Sequence, residues 1–111
     1  MNSPYIVILV TAKDTDEAKR IARRLLEEKL IACANVVSGV QSLFWWEGKG
    51  DEAAETLLVM KSVKKHFTKI VKTVKSIHSY NVPEIIAVPV VAGEKDYLRW
   101  IDASTKRSSG T

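Results

Sequence analysis

The stretch Leu30–Gly48, LIACANVVSGVQSLFWWEG, decides which fold the rest of the chain can adopt. Its pattern predicts the end of a helix, then a long strand over Ala32–Trp46 that is broken once at Ser38–Gly39, then a hairpin turn. Side chains alternate between the two faces of a strand, and both faces of this strand carry large apolar groups. Each face therefore needs a cover, and a short chain has few elements to provide it.

The segments on either side of this strand predict a small mixed fold. The predicted strands are Tyr5–Val10, Ala32–Trp46, Ala54–Ser62 and Glu84–Val88, and the predicted helices are Asp14–Lys29, Val63–Ile77 and Lys95–Ser104. The turn before the third strand is expected at Glu47–Gly50. Right-handed crossovers place the two long helices on one face of a four-stranded sheet. The pattern therefore predicts an α+β, ferredoxin-like βαββαβ sandwich with an extra C-terminal helix and a long bent hairpin.

No linker or repeat divides the chain, so we expect a single domain over residues 1–111, with a flexible tail at about 105–111. The last helix is expected to turn four side chains inward, namely Tyr97, Leu98, Trp100 and Ile101. Even so, both long helices lie on one side of the sheet, and the opposite face would leave Leu, Val and Trp side chains in water. Such exposure is unfavourable by about 25 cal/mol per Å², so the sequence predicts that an oligomer buries the second face.

Composition limits the classes of function. The 111 residues are 46% hydrophobic and 27% charged, as in ordinary globular proteins. The longest apolar run, Ile6–Val10, is too short to span a membrane, and the N-terminus lacks the features of a secretory signal. A single cysteine, Cys33, predicts a reducing compartment and hence a cytoplasmic location. The net charge of +4 comes largely from lysines of the second helix; without interleaved aromatics, these predict a solvated face and no nucleic-acid partner.

Several motifs resemble the CutA family of divalent-cation tolerance proteins. They are EKLIACANVV at Glu28–Val37, SLFWWEGK at Ser42–Lys49, HSYNVPEIIAVPV at His78–Val90 and YLRW at Tyr97–Trp100. The resemblance covers nearly the whole chain and implies a ferredoxin-like homotrimer in which the long second and third strands reach onto neighbouring subunits. Its implied interface residues here are Gly39, Phe44, Trp45 and Trp46. It also implies a non-enzymatic role in tolerance to divalent metal ions such as copper, with weak binding of the ion.

The chain departs from the family pattern at positions linked to copper. Some bacterial members carry a cysteine at the end of the first strand and a second histidine before the loop; the matching residues here are Val10 and Ile77. Of that set only His78 remains. The loop also has Ser79 in place of the family's proline and Asn81 in place of its acidic residue. The resemblance therefore implies a weak divalent site without a preference for Cu(I).

Residue chemistry and the resemblance together give two groups of candidates. The candidate metal ligands are His78, Glu84 and Cys33, and the candidate residues of an inter-subunit cleft are Trp46, Glu47 and Tyr80. Each group also has a structural interpretation. Cys33 lies between two alanines and is typical of a small buried residue, whereas His78 is a favourable cation at a helix end. The other histidine, His66, is expected to face solvent.

Other functions are compatible with the predicted fold to different degrees. A small-ligand sensor of the PII type shares the trimeric architecture and is the main alternative. An RNA-recognition motif would need aromatic residues on the third strand, where this chain has Glu55–Met60. An acylphosphatase-like enzyme would need an arginine-bearing anion cradle after the first strand, which Thr11–Asp14 does not supply. No phosphate-binding loop, nucleophile elbow or spaced metal motif is present, and we therefore expect no catalytic residues.

Overall fold

A computed structural model describes residues 3–107, which form one antiparallel sheet and three helices. The strands are β1 (Tyr5–Ala12), β2 (Cys33–Trp46), β3 (Lys49–Val63) and β4 (Ile85–Pro89), and the helices are α1 (Thr15–Glu27), α2 (Phe67–Ile77) and α3 (Lys95–Ser104). A single 3-10 turn, Lys64–His66, precedes α2. The strand order β2-β3-β1-β4 with antiparallel neighbours confirms the predicted ferredoxin-like sandwich.

The main core lies between one face of the sheet and the two long helices. Strand β1 buries every second residue, as the alternation of a pleated strand requires. Its buried side chains meet those of β3 and the apolar stripes of the helices; the largest members are Ile8, Ile21, Leu25, Leu58, Met60 and Ile70. Leu26 of α1 is 42% exposed and lies at the margin of the helix's apolar stripe. The lysines of the α2 segment all face solvent, as the sequence predicted.

Helix α1 has well-defined ends. At its start, Asp14 accepts a hydrogen bond from the backbone N–H of Glu17 (2.8 Å) and so caps the helix. At its end, Lys29 takes a positive φ of 55°, and the N–H of Leu30 donates to the carbonyl of Leu25 (3.0 Å). This is a Schellman motif with lysine in the position that glycine usually occupies. It turns the chain directly into the buried segment before β2.

The hairpin of β2 and β3 is longer than the sequence predicted. Strand β3 begins at Lys49 rather than near Ala54, because the turn contains only Glu47 and Gly48. Both turn residues have positive φ (50° and 79°), the geometry that joins two twisted strands with two residues. The expected break at Ser38–Gly39 is confirmed as an irregularity in register between Val37 and Val40, with φ of 73° at Gly39.

More than half of this hairpin extends past the rest of the sheet. Strand β1 ends where Ala12 pairs with Thr56, so residues 40–55 form a two-stranded ribbon, here called the arm. The arm is rich in exposed apolar side chains, namely Leu43 (76% exposed), Phe44 (40%), Trp45 (81%) and Trp46 (56%). An isolated two-stranded ribbon is at best marginally stable in water. The arm therefore requires contacts that a single chain does not provide.

Helix α3 covers one end of the second sheet face. Ile101 packs there with Ala32 and Val63, and the Tyr5 hydroxyl donates to Asp102 Oδ2 (2.6 Å). The prediction that Tyr97 and Trp100 point inward is wrong, since each is 43% exposed in the single chain. Of the four side chains expected to turn inward, only Leu98 and Ile101 pack into this cluster.

The prediction for His66 is also wrong. His66 does not face solvent: it is buried, and its Nε2 lies 2.9 Å from the carbonyl oxygen of Thr105. Thr105 itself is buried, and the Arg107 guanidinium donates to the carbonyl of Glu28 at the end of α1. The first residues of the predicted tail, Thr105 and Arg107, thus contact the fold, while residues 108–111 lie outside the described part and the flexibility of the tail stays a prediction.

The rest of the second face is open in the single chain. Val37, Ile86 and Val88 on this face are each close to half exposed. The predicted need for a cover therefore persists after α3 is placed. Among residues 3–107, no helix combines the length and the apolar character that crossing a bilayer demands.

Candidate functional site

A cluster of polar side chains lies at the loop that follows α2, around His78. Its Nε2 lies 2.8 Å from the carbonyl oxygen of Thr11, and its Nδ1 accepts from the backbone N–H of Tyr80 at 3.0 Å. Together these contacts fix a neutral ring with the proton on Nε2. The side chain is fully enclosed. His78 can therefore bind a metal ion only after one of the two hydrogen bonds breaks.

Glu17 is the buried carboxylate of this cluster. Its Oε1 accepts from the N–H of Lys13 (3.0 Å) and its Oε2 from the N–H of Ser79 (2.8 Å), while His78 Nδ1 lies 4.0 Å away. Burial by itself would raise the pKa of Glu17, but the hydrogen bonds from Lys13 and Ser79 outweigh burial and lower the pKa. The ionised carboxylate thus holds the start of α1 against the loop.

Tyr80 connects the loop to the root of the arm. Its hydroxyl donates to Glu55 Oε2 at 2.8 Å, and its ring lies 4.7 Å from the ring of His78. Burial, then the hydrogen bond to Glu55 and the negative charges nearby, raise the pKa of the phenol well above 10.0. The phenol therefore keeps its proton, and remains a donor, throughout the neutral range.

The predicted metal ligands do not converge within one chain. Glu84 is exposed and precedes β4, whose first residue pairs with Val10, so it lies at the same end of the sheet as His78. Cys33 pairs with Lys61, four residues along β3 from the partner of Thr11, which corresponds to roughly 13 Å. No group of three potential ligands among His, Cys, Asp and Glu occurs within residues 3–107. The residues of a single chain therefore do not fit a preformed metal site.

Cys33 has a partner of a different kind. It is partly exposed, and its Sγ lies 3.7 Å from the hydroxyl of Tyr97 on α3. This contact, with some burial, raises the pKa of Tyr97. The expectation of a small residue packed in the fold is thus met only in part, because the thiol lies between the sheet and α3 rather than in the main core.

The remaining candidates lie on the arm. Trp46 and Glu47 are at its tip, six residue pairs beyond the pair of Val40 with Glu55, which corresponds to about 20 Å. They cannot meet Tyr80 of their own chain across that span. A cleft that combines them with Tyr80 would require residues from two subunits, and the inter-subunit cleft stays a prediction.

Sequence reasoning missed two residues of the cluster as site residues. Glu17 lies in the first turn of α1, and no local pattern indicates that its Oε2 contacts a residue 62 positions later. Glu55 was passed over as one charge in an apolar strand. The position of Glu55 could have indicated its role, because it is a carboxylate next to Thr56, where β3 leaves the sheet and the arm begins.

Comparison with known proteins agrees with the family resemblance of the motifs. A family model described as CutA1 divalent ion tolerance protein matches residues 6–104. The chain belongs to the CutA1 family. Relatives include Protein CutA 1, chloroplastic, from Oryza sativa, 42% identical over 105 residues, and the Divalent-cation tolerance protein CutA of Archaeoglobus fulgidus, 43% identical over 99 residues. The chain spans 59% of the rice protein and 96% of the archaeal one; the matched regions are 95% and 89% of this chain.

Solved CutA structures share the whole fold. The crystal structure of CutA1 from Oryza sativa superposes with a TM-score of 0.91 at 42% identity, covering 96% of this chain and 97% of that chain. The structure described as periplasmic divalent cation tolerance protein CutA from Archaeoglobus fulgidus gives 0.89 at 42% identity, covering 92% and 99%. These CutA relatives are thus described from a chloroplast and a periplasm.

Proposed function

We propose that the protein is a non-enzymatic homotrimer that acts in tolerance to divalent metal ions. The observation that carries the proposal is the apolar arm, together with the part of the sheet that α3 leaves open. Trp45 and Leu43 are more than three-quarters exposed, and they lie on a ribbon that cannot be stable by itself. Family membership supports the tolerance role, and the number three follows the family resemblance.

The arm supports assembly through more than its apolar side chains. Strand β2 is an edge strand of the sheet and is 14 residues long, so its outer backbone groups are open to pairing. Gly39 bends this strand at the root of the arm. In the proposed trimer, Phe44, Trp45 and Trp46 pack on a neighbouring subunit and the bend at Gly39 directs them there.

The proposal assigns metal ions to the clefts between subunits. Within one chain the donors do not fit a metal ion, because His78 has both ring nitrogens engaged and Cys33 lies apart. Exposed carboxylates remain: Glu84 beside the loop and Glu47 at the tip of the arm. We expect these oxygens to bind divalent ions such as copper weakly, in clefts where Trp46 of one subunit approaches Tyr80 of another.

A small-ligand sensor of the PII type was the main alternative. The relatives are described by divalent-cation tolerance, which favours the tolerance role. The cytoplasmic location stays a prediction that rests on the single cysteine. The absence of catalytic residues is likewise part of the proposal.

Sedimentation combined with elemental analysis tests this function. At micromolar concentration we expect a species of three times the chain mass. We expect substoichiometric divalent metal in the purified protein, removed by a chelator without loss of the trimer. A stable, folded monomer would contradict the assembly. A stoichiometric ion that resists chelation would contradict the assignment of weak sites.

A further inference from the structure

The arm has a hinge where it leaves the sheet. Between Val37 and Val40 the register of β2 shifts, and Gly39 adopts a positive φ of 73°. Irregularities of this kind bend a strand and interrupt its ladder of hydrogen bonds. Within residues 3–107, no third strand supports the hairpin beyond this point, since β1 ends opposite Thr56. The direction of the arm therefore needs a contact from outside the hairpin.

One such contact lies just beyond the hinge. Glu55 pairs with Val40, the first residue of β2 past the irregularity, and its carboxylate accepts the Tyr80 hydroxyl at 2.8 Å. A second contact lies next to it, where the hydroxyls of Thr15 and Thr56 are 3.3 Å apart. Of the two, only the first reaches a residue of the arm itself.

Tyr80 is held firmly enough to support the arm. Its backbone N–H donates to His78, whose ring is bonded to the carbonyl of Thr11 at the end of β1. The preceding N–H, of Ser79, donates to the buried carboxylate of Glu17. The phenol is thus connected through two short bridges to the end of β1 and the start of α1, which belong to the main body of the fold.

We infer that the Tyr80–Glu55 hydrogen bond acts as a strut that fixes the direction of the arm, which makes Tyr80 a positioning residue for assembly. A hydrogen bond from a hydroxyl to an ionised carboxylate is stronger than one between neutral groups. One such bond is therefore enough to fix the direction of a two-stranded arm at its root. The inference rests on the proposed assembly through the arm. It adds that the loop after α2, which lines the proposed cleft, determines where the arm of the same chain points.

Tyr80→Phe tests the strut, because it removes one hydroxyl and keeps the ring. Spin labels at Lys19→Cys on α1 and Lys49→Cys on the arm, in a Cys33→Ala background, report the distance from the body to the arm tip. Labelled chains are diluted into unlabelled ones so that only distances within a chain are measured. We expect a narrow distribution for the parent and a broad one for Tyr80→Phe. We also expect at least a tenfold rise in the total concentration at which half of the trimer is dissociated.

Matched variants separate the strut from general loss of stability. Tyr97→Phe removes a similar hydroxyl far from the arm and should leave both measurements unchanged. Glu55→Gln keeps an oxygen acceptor but loses the charge and should fall between the parent and Tyr80→Phe, whereas Glu55→Ala should match Tyr80→Phe. The inference would be overturned if Tyr80→Phe and Glu55→Ala both kept the parent's spin-label distance distribution and its concentration of half-dissociation. A monomeric parent whose distance still broadens in Tyr80→Phe would refute the proposed trimer but keep the strut.

Discussion

Glu17 holds three segments together with one carboxylate. It occupies the first turn of α1, accepts from the backbone just before that helix, and accepts again from Ser79 after α2. Buried carboxylates are stable only when donors compensate the lost hydration, and here two backbone N–H groups do so. The same residue therefore caps a helix and closes the loop of the candidate site.

Glu17→Gln should lower the free energy of unfolding and make that free energy depend less on pH at acidic pH. The folded pKa of Glu17 lies below its ordinary value of 4.5, so the carboxylate contributes stability above about pH 4.5 that is lost as pH falls through the folded pKa. Gln keeps one acceptor and turns an N–H group toward the other donor, at a cost of about 2–3 kcal/mol. Urea unfolding of both proteins between pH 3 and 7 measures the difference. Parallel curves would show that Glu17 is not the group responsible.

His78→Ala should act on stability rather than on metal binding. The substitution leaves the Thr11 carbonyl and the Tyr80 N–H without their partner and opens a cavity, which should lower the free energy of unfolding by about 2–4 kcal/mol. Calorimetric titration with copper and zinc at pH 7.5 should give similar weak affinities for parent and variant. Glu84→Gln, an exposed change, should weaken the binding without altering stability. Metal affinity lost with His78 but kept without Glu84 would instead identify the imidazole as the ligand.

The hairpin shows, at the scale of an element, what a sequence can and cannot predict. The break at Gly39 and the apolar character of both faces were predictable, because they follow from glycine in a strand and from alternation. The start of β3 was not, because Lys49–Ala53 is polar and rich in turn-forming residues. Those residues pair only because the two-residue turn at Glu47 and Gly48 places them opposite β2.

Trp46→Ala should weaken assembly more than it weakens the fold of one chain. Its side chain is 56% exposed in the single chain, so most of its packing must come from another subunit. If the indole is fully packed there, its removal should cost about 3–5 kcal/mol, seen as dissociation at higher concentration in sedimentation. Trp100→Ala on α3 deletes the same group outside the arm and serves as the control. A Trp46→Ala protein as oligomeric and as stable as the parent would place Trp46 on open surface.

At the scale of the whole molecule, the fold could be predicted from the order of helices and strands, but the polar cluster around His78 could not. Helix and strand patterns predict which residues face a core, so the sandwich was accessible from the sequence. The contact of Glu17 with Ser79 joins residues 62 apart and depends on how two segments meet in space. The prediction that His66 faces solvent fails for the same reason, because the side chain contacts Thr105, which is 39 residues away in the sequence.

The two edges of the sheet differ in what they allow at high concentration. At one edge, β4 is only five residues long, ends at Pro89 and follows Pro83 closely, and proline offers no N–H to an added strand. Such an edge resists further pairing, whereas the opposite edge remains available. Sheets with two open edges can pair edge to edge without limit and form fibres. A sheet with one edge that cannot pair does not grow in this way. We therefore expect crowding to favour closed particles of fixed size, even though each chain displays an apolar ribbon.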